Sequence, residues 1–340
     1  MKITFIGHAA ILIEAAGLSI LSDPWWRGPC FGSQWWNYPA PHLDPLKDRK
    51  IDYIYISHGH HDHFHPGTLG TLSKDATVLV SSQIGLAFSL RQQGFNVIEV
   101  DEDCPAQLGD TPVSCRIMRT HGDDTLMILS DGTEVCVNLN DALHSAPDDV
   151  QAHYIGKLKQ LHEKIDYVFC GYGAASHFPN CYVIPGKDRN ATASRRQRYF
   201  NNQWAKIIGK LSPVFGFPFA ADVVFLEDDL MWVNEPTHNS QRPTAAFDTR
   251  HPASPVTVSD IAPGFTIDDG IVTAPVTRQR LMEASIKLAC AQQIARANRL
   301  GSVTRTSVEE VNPPNVERPS SSAKTSDASG PIAVPPYSTG

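Results

Sequence analysis

The heptapeptide Ser57-His58-Gly59-His60-His61-Asp62-His63 constrains this chain more than any other stretch. It follows the apolar, β-rich run Ile51-Asp52-Tyr53-Ile54-Tyr55-Ile56, so it lies where a buried strand runs out into a loop. Read as H-x-H-x-D-H, it places three imidazoles and a carboxylate within six residues. Imidazole nitrogen and carboxylate oxygen are ligands for zinc, iron or manganese. Alternate side chains from a strand end converge on one ion while their neighbours reach a second. A histidine-rich surface loop is the plain alternative, and further strand-end ligands in distant parts of the chain argue against it.

The flanking pattern supplies the strands such a site needs. Residues 2–22 read as three successive strands, Ile3–Ile6, Ala10–Glu14 and Leu18–Ser22, with a turn at Gly17. The third stops at Asp23-Pro24, which leaves a carboxylate at a strand end. After the histidines come a short helix (Thr68–Leu72), a strand (Val78–Ser81), a helix (Ile84–Gln92) and a strand (Val97–Val100). This βαβ alternation predicts a layered α/β architecture. Residues 115–139 switch to antiparallel strands, Cys115–Thr120, Thr125–Ser130 and Glu134–Leu139, with a turn at Asp131-Gly132. His121 and Asp141 lie at the edges of these strands. The strand Tyr167–Cys170 leads into Gly171-Tyr172-Gly173-Ala174-Ala175-Ser176-His177, a small-residue loop ending in another histidine. Helices are predicted over Ser194–Leu211 and over 277–300.

With 340 residues, 41% of them hydrophobic, the chain can bury a sizeable core, assigned to one catalytic domain over residues 1–302. Residues 303–340 turn to Pro, Ser and Thr and are predicted to be a disordered tail. A net charge of −7 argues against nucleic acid as a partner. The chain enters a strand pattern at once, and no apolar run approaches the roughly 20 residues of a membrane span. The seven cysteines are scattered and lack any C-x-x-C, which suits free thiols in a reducing compartment. Together these features predict a cytoplasmic protein. No C-x-H with a later C-x-x-H occurs, so this chain has no ligand set for a Rieske cluster. The loop over residues 25–46 holds Trp25, Trp26, Trp35 and Trp36. So aromatic a loop either plugs the core or walls a pocket; these four, with His8, are assigned to a substrate pocket.

The order of these ligands resembles that of the metallo-β-lactamase superfamily: Asp23, then His58, His60, Asp62 and His63, then His121, Asp141 and His177. The resemblance implies an αββα sandwich, two mixed sheets flanked by helices with the metal site at the sheet edge. It implies two divalent ions, zinc or iron. His58, His60 and His121 would hold one, and Asp62, His63 and His177 the other. Asp141 would bridge them, and Asp23 would orient a ligand imidazole. Over roughly residues 3–240 the chain resembles more narrowly the catalytic domain of the CMP-N-acetylneuraminate hydroxylase family. That likeness rests on Asp23-Pro24-Trp25-Trp26-Arg27-Gly28-Pro29-Cys30-Phe31-Gly32, Trp35-Trp36, Gly173–Pro179 and Pro218-Phe219-Ala220. There is a looser likeness to phospholipase D-type and ascorbate-phosphate lactonase-type members. Two departures stand out. This chain lacks a Rieske domain, and it has His177 where that family has glycine.

Three functions follow as expectations. The first is a metal-dependent hydrolase of a small molecule, in which metal-activated water attacks and Asp62 or Asp141 carries the proton to the leaving group. It is placed first because the full ligand set and the missing Rieske domain both point there. The second is an iron-dependent oxygenase supplied with electrons by a separate reductase or ferredoxin. The third, a non-catalytic binding module, fits poorly with a complete ligand set.

Overall fold

The computed structural model describes residues 1–173, 178–238 and 241–274, all within one compact unit spanning residues 1–296. The helix expected over 277–300, the tail over 303–340 and the boundary at 302 lie outside the described residues.

Two mixed sheets stack face to face. The first has eight strands, in the order Ile271–Thr273, Thr266–Asp268, Lys2–Gly7, Ala10–Ala15, Leu18–Ser22, Tyr53–Tyr55, Thr77–Ser81 and Asn96–Val100. The last four run parallel and the others antiparallel. The second has seven, in the order Thr257–Val258, Phe215–Phe219, Tyr167–Gly171, Val135–Asn140, Thr125–Ser130, Ser114–Arg119 and Ala106–Gln107. A two-stranded ribbon, Trp36–Asn37 with Val223–Val224, ties down the tryptophan-rich loop.

Strand periodicity sorts the side chains into three apolar layers. Along Thr125–Ser130, Met127 and Leu129 point between the sheets, where Ile11, Ile13, Ile20 and Phe169 meet them. Leu126 and Ile128 point outward beneath the helices, against Leu158, Trp204 and Ile208. On the far face of the first sheet, Ile54, Ile56, Val78 and Val80 pack under Leu69 and Leu90. Because both faces of the central strands are covered, they read as near-continuous apolar runs. The result is the αββα sandwich expected from the ligand order.

The helix Arg189–Leu211 begins earlier than its apolar pattern suggests, because the side chain of Asp188 accepts the Ala191 N–H at 2.6 Å and caps it. The helix Asp148–Leu161 is absent from the sequence reading. Its buried face includes Gln151, whose amide donates to the carbonyls of Leu143 and Ala146, so the apolar period is interrupted. Among the described residues, no helix is long and apolar enough to cross a membrane, and the six described cysteines are free.

Candidate metal centre

Parallel pairing of Leu18–Ser22 with Tyr53–Tyr55 ends both strands side by side, which sets Asp23 next to Ser57. Asp23 is fully buried. It accepts the Ser57 N–H at 2.8 Å, the Ser57 hydroxyl at 2.7 Å and Nδ1 of His63 at 3.0 Å. Since the Ser57 hydroxyl gives its proton to Asp23, its oxygen is left to accept from Nδ1 of His58, 3.0 Å away. Both imidazoles therefore keep a proton on Nδ1 and turn Nε2 toward the sheet edge. The two sheets are tied together beneath this point, where Thr125 donates to the Ser57 carbonyl at 2.6 Å and pairs with the Tyr55 hydroxyl at 2.8 Å. Three non-glycine residues around the site, His8, Asp23 and Asn140, adopt positive φ of 50°, 36° and 45°. Such left-handed backbone is costly and concentrates where function holds it in place.

The potential ligand atoms converge in three overlapping sets: His58, His60 and Asp124; His58, His63 and Asp141; and His8, Asp62 and His63. Nε2 of His58 lies 2.8 Å from Nδ1 of His60 and 3.7 Å from the Asp124 carboxylate. Nε2 of His63 lies 3.5 Å from Asp62 and 3.7 Å from Asp141. His8 approaches Asp62 at 3.0 Å. Burial and the neighbouring His63 push the His58 imidazole down to about 3, which keeps it neutral. Burial lowers His63 too, but Asp62 and Asp23 outweigh it and hold that ring well above its ordinary value. Burial would raise Asp62 and Asp141, yet the adjacent imidazoles leave both below the usual carboxylate range. Asp124 is raised, by burial and by Asp141 beside it.

Nε2 of His63, Oδ1 of Asp62 and Oδ1 of Asp141 are buried without a hydrogen-bond partner. Buried polar atoms are normally paired, so orphan ligand atoms gathered in one region suit divalent cations, which at His63 would take the place of a proton.

Of the expected ligands, His58, His60, Asp62, His63 and Asp141 come together, and Asp23 stands behind them. His121 does not join any cluster among the described residues. The Thr120 N–H closes a turn on the Asp124 carbonyl at 2.8 Å. This turn leaves His121 exposed at its tip and brings Asp124 back to the sheet edge. His177 lies outside the described residues. Asp124 and His144 are absent from the sequence reading, as is the part His8 plays beside Asp62. The Asp123-Asp124 pair just before a strand was the available signal for the first.

A cavity of about 370 Å³ opens over the cluster, walled by Phe31, Trp35, Phe225 and Phe200. Of the four tryptophans, Trp35 is half-buried and lines this cavity, 4.7 Å from the Phe31 ring. Trp25 and Trp36 are buried in apolar clusters, and Trp26 packs at the edge of a third. Trp36→Ala should therefore cost the roughly 3–5 kcal/mol of an emptied aromatic core site and leave turnover per folded molecule unchanged. Trp35→Ala should do the reverse, weakening substrate binding with little loss of stability. Melting temperatures and kinetic constants on the two variants check this pairing, and equal stability losses would refute it.

Residues 2–114 match the family model for the beta-lactamase superfamily domain. A Mycolicibacterium smegmatis protein named for a Rieske 2Fe-2S iron-sulfur cluster is 29% identical over 250 residues, 69% of this chain and 46% of the relative. The chain thus spans about half the length of this curated relative. The cytidine monophosphate-N-acetylneuraminic acid hydroxylase of Asterias rubens is 44% identical over 77 residues, 22% of this chain and 12% of that protein. A UPF0173 metal-dependent hydrolase of Desulforamulus reducens is 37% identical over 94 residues, 28% of this chain and 36% of that protein. Two solved structures share the fold. One is CmlA, a diiron beta-hydroxylase from Streptomyces venezuelae (TM-score 0.50, 19% identity, 78% of this chain and 53% of that one). The other is an isothiocyanate hydrolase from Delia radicum gut bacteria (TM-score 0.53, 16% identity, 79% and 98%). Fold and family match agree over the N-terminal third: residues 2–114 match the beta-lactamase superfamily domain, and the chain is similar in fold to metal-dependent enzymes of that superfamily.

Proposed function

We propose that this chain is the catalytic part of an iron-dependent oxygenase acting on a small anionic molecule. The carrying observation is composition: each of the three ligand sets pairs two imidazoles with one carboxylate, the combination that suits non-haem Fe(II). His121 at an exposed turn and Asp124 at the sheet edge support this reading over the full seven-ligand set of the hydrolase expectation, of which His177 lies outside the described residues. Relatives named for a Rieske cluster and for a hydroxylase support the same reading.

His58, His60 and Asp124 would hold one ion, Asp62 and His63 the other, with Asp141 between them and His8 fixing Asp62. Iron bound there would supply O₂ activation, with two electrons from a separate reductase or ferredoxin and two protons from solvent, so that one oxygen atom enters a C–H or N–H bond and the other leaves as water. Asp23 and Ser57 keep the imidazoles in the ligating tautomer. The aromatic wall of Phe31, Trp35 and Phe225 limits water at the reacting position.

Arg196 lines the same cavity, and no carboxylate among the described residues pairs with it. It donates to the Phe178 carbonyl, and its guanidinium lies 5.4 Å from the Phe200 ring. Burial lowers its pKa, so an anion bound there gains a poorly hydrated cation. Arg196→Gln should raise KM about 10–100-fold, the loss of one charge-assisted hydrogen bond, with metal content unchanged. A KM within twofold of wild type would remove Arg196 from substrate binding.

The reading is tested by loading anaerobically purified protein with Fe(II), adding a chemical reductant and following O₂ uptake over a panel of small carboxylates and phosphates. Substrate-dependent uptake with a hydroxylated product is the expected result. A second reading, hydrolysis, is favoured by the relative named a metal-dependent hydrolase and by the fact that two imidazoles and a carboxylate also hold catalytic zinc. Zinc-loaded protein that cleaves esters, lactones or phosphodiesters without O₂, while the iron form consumes none, would establish it instead.

A further inference from the structure

His144 belongs to none of the three ligand sets and to no motif, yet it is buried on the cavity wall three residues beyond Asp141. Its Nε2 lies 3.0 Å from the Gly173 carbonyl. A carbonyl oxygen can only accept, so Nε2 carries the proton and Nδ1 presents a lone pair. Nδ1 is buried and has no hydrogen-bond partner, and the same holds for Oδ1 of Asp141.

The two orphan atoms border one spot. A Cβ built on Gly171 would lie 3.2 Å from Nδ1 of His144, 2.9 Å from Oδ1 of Asp141 and 2.7 Å from the Asn140 carbonyl oxygen. Glycine at 171 therefore lets the backbone pass close to a lone pair, a carboxylate oxygen and a carbonyl oxygen, where any side chain would collide. Two acceptors sharing a buried space with no donor repel each other, and each unpartnered atom costs about 1–3 kcal/mol. A cation relieves both at once, and a neutral imidazole beside a carboxylate is a donor set for zinc or iron.

We propose that Nδ1 of His144 is a metal ligand of the ion that Asp141 holds, supplying an imidazole that the exposed His121 does not. The proposal rests on the metal-centre reading but not on the choice between oxygenation and hydrolysis. A buried water filling the same space is the competing account. In that case His144 only braces the Gly171–Gly173 segment.

The test uses the full chain, stripped of metal and titrated with Co(II), following visible absorption and stoichiometry in wild type, His144→Ala and His144→Gln. Both variants should bind Co(II) at least tenfold more weakly at one site, with an altered spectrum. Added imidazole should restore the spectrum in His144→Ala, and the metal-free melting temperature should change little. Should His144→Ala fold poorly, His144→Gln decides the matter, because its amide still donates to the Gly173 carbonyl but offers no ring nitrogen. Co(II) affinity and spectrum equal to wild type in the folded variant would overturn the proposal. A wild-type protein that takes up no Co(II) would instead overturn the metal-centre reading beneath it.

Discussion

Asp141→Asn is expected to empty both halves of the centre and abolish turnover while the chain stays folded. Asp141 sits at the end of the strand Val135–Asn140, 3.7 Å from Nε2 of His63, and shares a ligand set with His58 and His63. A carboxylate between two divalent ions binds both and offsets their mutual repulsion. The amide keeps the shape and removes the charge. The effect should exceed the roughly 10–100-fold that follows loss of a hydrogen-bond partner to a ligand. Metal-to-protein ratios by elemental analysis check it. Loss of one ion alone would mean that Asp141 serves a single site.

Asp23→Ala should damage fold and metal affinity together. Three donors end on this one buried carboxylate: the Ser57 N–H, the Ser57 hydroxyl and His63 Nδ1. Removing it leaves them buried without an acceptor and frees both imidazoles to turn. The expected destabilisation is about 3–5 kcal/mol, as for breaking a buried ionic pair, with a roughly 10–100-fold weaker hold on metal. Asp23 also has φ of 36°, a region that Asp and Asn tolerate better than Ala. Asp23→Asn should therefore recover part of the stability and little of the metal affinity. Urea unfolding of metal-free protein separates the two effects, and a stability unchanged in Asp23→Ala would contradict this account.

What could be read from the sequence follows from what is local. The run Thr125–Ser130 announces its strand because every residue of its two-sided apolar pattern is contiguous, and His58–His63 announces a metal site because its ligands share one strand end. The parallel alignment that puts Asp23 on Ser57 is not local. It became predictable only through a ligand order already associated with a fold. Asp124 escaped notice because the choice between His121 and Asp124 depends on which side of a tight turn faces the sheet edge, and that turn is closed by one backbone hydrogen bond. His144 escaped because the atoms that leave its Nδ1 unpartnered, and the glycine that lets the backbone pass close to it, lie about 30 residues further along. The tryptophans carried too coarse a signal. Four in one loop indicated enclosure, but only the ribbon Trp36–Asn37 with Val223–Val224 decides which of them turn inward.

The central claim is that a carboxylate, Asp124, completes the set begun by His58 and His60. Anomalous diffraction from crystals of the metal-loaded protein tests it most directly. The predicted result is an ion about 2.0–2.2 Å from His58 Nε2, His60 Nδ1 and an Asp124 oxygen, with His121 in solvent. An ion bound by His121, with Asp124 turned away from it, would contradict the account.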